Sequence, residues 1–168
     1  MKSLESLQQA IKKINRATRE RFLEAFNGIN EQFKTVFVEL FQGGRAELKL
    51  TDEENILETG IDIAAQPPGK KLQDLDLLSG GEKSLTAFAL LIAIFLVKPS
   101  PFCILDEADS ALDDTNANRF NRYLKNLCHV SQFIIITHNK LTMQIANTLY
   151  GITMQEPGIS KVVSVQLH

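Results

Sequence analysis

Residues 102–107 read FCILDE, four apolar residues that end in two carboxylates. A short apolar run of this kind is typical of a central strand in a parallel sheet, which is buried on both faces. Ligands of open α/β sheets bind at the carboxyl ends of the strands, where Asp106 and Glu107 would lie. The stretch therefore predicts an α/β fold with a candidate site at the ends of its strands.

A second buried strand is predicted where residues 133–138 read FIIITH. His138 follows this strand as Glu107 follows the first, and the interval between them has room for one helix and one return strand. A histidine there can donate a hydrogen bond to a phosphate oxygen, although a single histidine after a strand usually has a structural role. A second face of the same site is predicted from Ser110, Ala111, Leu112 and Asp113.

The stretch LSGGEK at residues 78–83 directly precedes a mostly apolar helix. Gly80 and Gly81 let the backbone approach a ligand, Ser79 offers a hydroxyl, and the helix start presents unpaired N–H groups. This combination suits a phosphate. The same residues are equally suited to capping the helix, and the sequence leaves both interpretations open.

The acid pair also has two interpretations. Asp106 is suited to holding Mg²⁺ through water, and Glu107 to positioning or deprotonating an attacking water. The simpler alternative is an acidic cap on a strand that ends in a turn. We favour the catalytic interpretation, because an apolar strand precedes the pair and because Ser79 and His138 fall at positions suited to the same site.

The sequence lacks the loop that grips a nucleotide in many ATPases. A P-loop requires the pattern G-x-x-x-x-G-K-[ST]. The one Gly-Lys pair, Gly69-Lys70, is followed by Lys71, and Ala64 stands where the first glycine would be. These residues are therefore not expected to cradle the β- and γ-phosphates alone.

Residues 1–41 predict one long helix, because they contain no proline and a single glycine. The apolar positions first follow heptad spacing, through Leu4, Leu7, Ile11 and Ile14, and then shift to steps of four. We expect a coiled-coil segment over residues 1–21 and a globular body over residues 22–168. An ordinary amphipathic helix explains the pattern equally well.

Composition restricts the class of protein. Hydrophobic residues make up 44% of the 168 residues, enough for a core, and the formal net charge of -2 argues against a globally basic nucleic-acid binder. Cys103 and Cys128 lie beside apolar residues, so no disulfide is expected. The first residues lack the apolar core of a signal peptide, and the longest apolar stretch, residues 88–97, is too short to span a bilayer. We expect a soluble, cytoplasmic protein that does not enter the membrane.

At these motifs the sequence resembles the C-terminal head lobe of an SMC (structural maintenance of chromosomes) protein of the condensin type, which is an ABC ATPase. The resemblance is carried by LSGGEKSLTA at residues 78–87, KPSPFCILDEADSALDD at 98–114, ITHNK at 136–140 and YGITM at 150–154. The ending GISKVVSV, at residues 158–165, is most similar to bacterial members.

The resemblance implies a fold and a mode of action. The fold would be an α/β half-head of the P-loop NTPase type that lacks its N-terminal lobe and follows a coiled-coil helix. Two heads would hold ATP and Mg²⁺ between them and hydrolyse the ATP to organise chromosomes, whereas the isolated chain would be inactive. The implied partners are the N-terminal SMC head lobe that supplies Walker A, a second SMC head, a kleisin subunit and DNA.

The resemblance also implies roles for individual residues. Glu107 would be the catalytic base, His138 would contact the γ-phosphate, and Asp106, the Walker B acid, would support Mg²⁺ through water. The γ-phosphate held by the partner head would be bound in trans by Ser79, Gly80 and Gly81. The D-loop between the heads would consist of Ser110, Ala111, Leu112 and Asp113.

Two alternatives to this interpretation remain. One is a non-catalytic module that binds a kleisin or DNA and never completes an ATPase site; Glu107 and LSGGEK argue against it, because a scaffold needs neither. The other is the head lobe of a related double-strand-break repair ATPase, against which the match at residues 98–114 and the ending argue.

Overall fold

The computed structural model describes the backbone of residues 2–166 and the side chains of residues 4–164. The chain forms two compact units, which divide between Ser100 and Pro101. The first unit contains a long helix, a three-stranded antiparallel sheet and an apolar helix. The second contains a two-stranded parallel sheet, two helices and a β-hairpin.

Helix α1 spans Lys2–Phe41 and confirms the single long helix. The side chains of residues 4–21 are exposed, including the whole apolar seam of the predicted coiled coil. The last three turns are instead part of the core of the first unit, where the rings of Phe37 and Phe41 stack with their centroids 4.1 Å apart. Burial in these turns extends to Phe33, Val36, Phe37, Leu40 and Phe41.

Strands β1 (Arg45–Leu50) and β2 (Ile61–Gln66) form an antiparallel hairpin. The side chain of Asn30 bonds both backbone groups of Leu48, donating to its oxygen at 3.2 Å and accepting from its nitrogen at 2.8 Å. This edge strand is thereby tied to α1. Strand β3 (Gln73–Asp74) and the single 3₁₀ turn after it were not predicted, because two residues are too few to show a periodicity.

Helix α2 spans Gly80–Val97 and packs against α1. Helix α2 is long and apolar enough to cross a membrane, but a buried core helix can have the same length and composition. Its packing against α1 and its seven buried residues fit a core helix.

The second unit is built on a strand–helix–strand element. Strand β4 (Phe102–Asp106) pairs in parallel with β5 (Gln132–Ile136), with Asp106 opposite Ile136. Helix α3 (Asp114–Leu127) connects them, as the spacing of the motifs predicts. Helix α4 (Lys140–Met143) is one turn long, and β6 begins soon after it at Thr148.

Strands β6 (Thr148–Glu156) and β7 (Ile159–Gln166) close the described chain as an antiparallel hairpin. Gly158 lies between the two strands and has a φ of +83°, a backbone conformation that favours glycine. The side chains described on both strands are almost all exposed.

The parallel sheet is covered on one face only. Leu105, on the covered face, is 3% exposed, whereas Ile104 beside it is 56% exposed. The exposed face also carries Phe102, Ile134 and Ile136. The expectation of strands buried on both faces therefore fails for one face. Because apolar parallel sheets are normally covered on both sides, this face is suited to a further layer of protein.

Gly44 gives a test of the link between α1 and β1. It has a φ of +79°, and a Cβ atom on it would lie 2.2 Å from the backbone oxygen of Gln66. We expect Gly44→Ala to lower the free energy of unfolding by about 3 kcal/mol or more, because it combines left-handed strain with a backbone clash. Urea denaturation of the purified chain measures the loss.

Gly69→Ala is the matched control. Gly69 has the same φ of +79°, but no atom lies within 4 Å of a Cβ built there. Its substitution should therefore cost only the conformational strain, about 1–2 kcal/mol. If the two variants lost equal free energy of unfolding, the backbone would be able to move away from Gln66 without an energetic cost, contrary to this prediction.

Candidate functional site

The turn after β4 holds its first acidic residue in an unusual conformation. Glu107 has a φ of +47°, one of two positive values among the non-glycine residues described, the other being at Gln42. Its backbone N–H donates to the oxygen of Ile136 at 2.9 Å, and its own oxygen accepts from the N–H of Ser110 at 3.1 Å. Non-glycine residues adopt such angles rarely, and they cluster at functional sites.

The structure brings Glu107 and His138 together. The Nδ1 atom of His138 lies 3.7 Å from the Oε1 atom of Glu107, and their side chains are 74% and 61% exposed. This distance is longer than a direct hydrogen bond. Both side chains thus lie close together and exposed to solvent at the carboxyl ends of adjacent parallel strands, as the spacing of the sequence predicts.

Asp106 is the last residue of β4, and its side chain is exposed. Among the residues that the structure describes, no three His, Cys, Asp or Glu side chains are grouped as metal ligands. Mg²⁺ keeps several waters and is usually bound through one or two carboxylates together with substrate phosphates. Two adjacent exposed carboxylates, Asp106 and Glu107, fit that kind of site.

Asp113 has a visible structural role at the start of α3. Its side chain accepts a hydrogen bond from the N–H of Asn116 at 2.8 Å, which caps the helix. A tight turn precedes it, since the N–H of Leu112 donates to the oxygen of Asp109 at 3.1 Å. Ser110 and Ala111 in this turn are exposed.

Asp109 is a buried neighbour of this site that the sequence analysis missed. It is 2% exposed, and its Oδ2 atom accepts hydrogen bonds from the hydroxyls of Thr142 and of Thr137, the latter at 2.7 Å. Asp109 lies within the stretch quoted above at residues 98–114, but nothing in that stretch distinguishes it from the neighbouring acids, because its burial arises only when the turn after β4 meets the loop after β5.

Ser79, Gly80 and Gly81 belong to the first unit, at the start of α2. The carboxylate of Glu82 accepts from the Ser79 hydroxyl at 2.8 Å and from its backbone N–H at 3.0 Å, so the helix-cap interpretation is realised. A Cβ atom on Gly80 would meet no atom within 4 Å. The backbone at this glycine is therefore open to a close approach.

Lys70 completes the arrangement around Glu82. Its ammonium group lies 2.8 Å from the same carboxylate oxygen that Ser79 contacts. Burial by itself raises the pKa of the Glu82 carboxyl, but the hydrogen bonds from Lys70 and Ser79 outweigh burial and leave this pKa below its ordinary value. The ionised carboxylate thus orients the Ser79 hydroxyl.

Comparison with known proteins identifies the family of the chain. A family model described as the RecF/RecN/SMC N terminal domain matches residues 6–161. The chain is 56% identical over 165 residues to the chromosome partition protein Smc of Myxococcus xanthus. That alignment covers 98% of this chain and 14% of the relative, so the chain spans a small part of the length of the proteins it matches.

Solved structures support the same family. One of them is the Smc head domain of Pyrococcus furiosus with an extended coiled coil, bound to the C-terminal domain of ScpA. It is 38% identical to this chain in sequence, with a TM-score of 0.82. The match covers 96% of this chain and 40% of that one. A structure from work on the ATP-driven dimerization and DNA-stimulated activation of SMC ATPases is 39% identical, with a TM-score of 0.81, over 88% of this chain and 89% of that one.

These comparisons confirm an α/β SMC head fold with an N-terminal helix, and they also correct one prediction. The family model is described as an N-terminal domain, which contradicts the assignment to a C-terminal head lobe and half-head. The physical reason is that LSGGEK and the acid pair indicate which chemistry a segment carries, but not where that segment lies in a longer protein. By its match over residues 6–161, the chain belongs to the RecF/RecN/SMC N-terminal domain family.

Proposed function

We propose that this chain is part of an SMC ATPase head and that its Glu107 and His138 take part in ATP hydrolysis. The observation that carries the proposal is their placement, 3.7 Å apart and exposed at the carboxyl ends of two adjacent parallel strands. The relatives are chromosome partition proteins, which supports a role in organising and segregating chromosomes in the cytoplasm.

Each side chain at the strand ends has a distinct task in this proposal. The Glu107 carboxylate accepts a proton from the attacking water, and the His138 imidazole donates a hydrogen bond to the γ-phosphate. Asp106 would hold Mg²⁺, and the ion would supply positive charge to neutralise the phosphates. Glu107 has a left-handed backbone, and its carboxylate lies 3.7 Å from the His138 ring.

The site needs a further segment of protein to work. The 168 residues contain no P-loop, and the apolar face of the parallel sheet is exposed. One P-loop-bearing segment would remedy both, since P-loops follow a strand that could extend or cover such a sheet. Excluding water from the exposed pair would also strengthen its electrostatic interactions with ATP.

Ser79, Gly80 and Gly81 are proposed to bind the γ-phosphate of ATP held by a second head. In support, the backbone at Gly80 is open, and the start of α2 presents N–H groups and a positive dipole end. An arriving phosphate would compete with Glu82 for the Ser79 hydroxyl. Lys70 reduces the repulsion that the Glu82 carboxylate would exert on that phosphate. Ser110, Ala111, Leu112 and Asp113 are proposed to form the D-loop between the heads.

The partners proposed for the complete head follow from its relatives. The Pyrococcus furiosus head is bound to ScpA, which supports a kleisin-type subunit as a partner here. The structure from work on ATP-driven dimerization and DNA-stimulated activation supports a second head and DNA. The exposed apolar positions at Leu4, Leu7, Ile11 and Ile14 are suited to a coiled-coil partner, and we propose residues 1–21 as the coiled-coil segment and residues 22–168 as the head proper.

One feature favours a non-catalytic interaction module as a second candidate. The β6–β7 hairpin exposes apolar side chains, among them Tyr150, Ile152 and Val162, which are 60% exposed or more. Such surfaces mark contacts with other proteins. A module of this kind would make no use of Glu107, so the test of that residue below separates the two candidates.

The lone chain is expected to bind ATP weakly or not at all. The physical reason is the missing P-loop, whose backbone N–H groups and lysine normally cradle the phosphates. Isothermal titration with Mg-ATP measures the affinity, and the chain combined with a P-loop-bearing SMC segment serves as the positive control. A low-micromolar dissociation constant for the chain alone would contradict the proposal of an incomplete site.

In a complete head, Glu107→Gln should stop turnover but retain ATP-dependent dimerisation. The amide keeps the size of the side chain and loses the base, which typically costs about 10²–10⁴-fold in rate. Steady-state phosphate release measures the loss. Glu53→Gln, in the exposed turn between β1 and β2, is the matched control and should leave the rate unchanged. Near-normal hydrolysis by Glu107→Gln would show that Glu107 is not the catalytic base.

Ser79→Arg should leave ATP binding by a single complete head intact and abolish dimer closure and hydrolysis. The long side chain would occupy the space that the phosphate of the other head must enter. Nucleotide affinity and gel filtration with ATP, the latter in a Glu107→Gln background, measure the two effects separately. Loss of ATP binding by the single head would instead show that Ser79 contacts the nucleotide of its own head or is needed for folding.

Ser79→Ala separates the loss of the hydroxyl from the added bulk of the arginine side chain. It removes the hydroxyl that Glu82 holds but adds no bulk, and the loss of an N-cap side chain typically costs about 1 kcal/mol. Closure should therefore be weakened by Ser79→Ala and abolished by Ser79→Arg. Dimers that form normally with Ser79→Arg would refute the assignment of this motif.

A further inference from the structure

We propose that Asp109 is a positioning residue, which fixes the loop that carries His138 against the turn that carries Glu107. The inference rests on the proposed function, because it assigns Asp109 to the same hydrolytic site. Asp109 is 2% exposed, whereas the side chains of Glu107 and His138 are exposed, so Asp109 would act through the backbone and not on the substrate.

The hydrogen bonds around Asp109 join two segments that are distant in sequence. Its Oδ2 atom accepts from the Thr137 hydroxyl at 2.7 Å and from the hydroxyl of Thr142, which is 1% exposed. Thr137 immediately precedes His138, and Asp109 follows Glu107 by two residues. One carboxylate thus ties the two loops of the candidate site together.

The Thr137 hydroxyl is oriented by two bonds. It has a single proton, which it donates to Asp109, and its oxygen accepts from the N–H of Asn139 at 2.9 Å. His138 therefore lies between two residues of one hydrogen-bonded chain. Asn139 is fixed in turn, because its Oδ1 atom accepts from the N–H of Leu141 at 2.9 Å and caps α4.

The Glu107 turn is held from the other side. The backbone N–H of Leu112 donates to the oxygen of Asp109, and that of Ser110 donates to the oxygen of Glu107, both at 3.1 Å. The N–H of Glu107 reaches across to the last residue of β5. A shift of the Asp109 carboxylate would therefore change the separation of Glu107 and His138.

His138 requires such a positioning residue because its side chain is exposed. The side chain of His138 is 74% exposed, so packing cannot fix its position. Its placement depends on the backbone of its loop, and that backbone is held by the buried network below it. A buried carboxylate is costly unless hydrogen bonds satisfy it, and two hydroxyl donors meet that need here. Networks of this kind orient the groups that do the chemistry.

The test uses a complete head with a P-loop-bearing segment and measures kcat and KM for ATP. Asp109→Leu should lower kcat by about tenfold to a hundredfold, the range typical of losing a residue that orients a catalytic group without touching the substrate, and leave KM nearly unchanged. Asp109→Asn should retain more activity than Asp109→Leu, because its amide oxygen still accepts from both hydroxyls.

Two threonine variants separate positioning from stability. Thr137→Val removes the hydroxyl that holds the His138 loop, whereas Thr142→Val removes the other hydroxyl from the same carboxylate. Thermal unfolding should show a loss of stability for both variants. Only Thr137→Val should lower kcat strongly, and equal losses of kcat would overturn the proposal. These milder variants also keep the test valid if Asp109→Leu fails to fold.

A double-mutant cycle gives the decisive measurement. If Asp109 acts through His138, adding Asp109→Leu to His138→Ala should lower kcat by no more than about twofold, since the residues act as one unit. Fully additive losses would overturn the positioning role while leaving the proposed function intact. Normal hydrolysis by both Glu107→Gln and His138→Ala would overturn the proposed function, and the role of Asp109 with it.

Discussion

The parallel pairing of β4 with β5 is the constraint on which the candidate site depends. Parallel strands end on the same side of a sheet, so the register that places Asp106 opposite Ile136 also places Glu107 and His138 at one rim. The backbone bond from Glu107 to Ile136 extends this pairing by one residue beyond β4 and holds the left-handed turn. A register shift by one residue would move one of the two side chains to the opposite face of the sheet.

The start of α2 shows how one group of atoms can serve stability and binding. The Glu82 carboxylate satisfies Ser79 as a helix cap, and Lys70 balances its charge. Each of these contacts is on or near the surface, where hydrogen bonds exchange readily with water and with ligands. A cap of this kind stabilises the helix and still leaves the hydroxyl available to a competing acceptor.

The sequence predicts those parts of the structure that arise from local periodicity. The apolar runs before Asp106 and His138 predict two strands, and the interval between them predicts the connecting helix; all three are present. Features that arise from tertiary contact could not be predicted in this way. The burial of Asp109 depends on two loops meeting, and the exposed face of Ile104 depends on what covers the sheet. The placement of the segment within a longer protein depends on comparison with relatives, which is why the lobe assignment needed correction.

The length of α1 has a mechanical consequence. The helix has 40 residues, which corresponds to about 60 Å at 1.5 Å per residue. It is anchored at one end by stacked phenylalanine rings and is free of packing over residues 4–21. A rigid rod anchored in this way acts as a lever: a tilt of about 5° at the buried end displaces the far end by about 5 Å over that length. Small rearrangements of the aromatic core would thereby be amplified into movements of several ångströms at the exposed end of the helix.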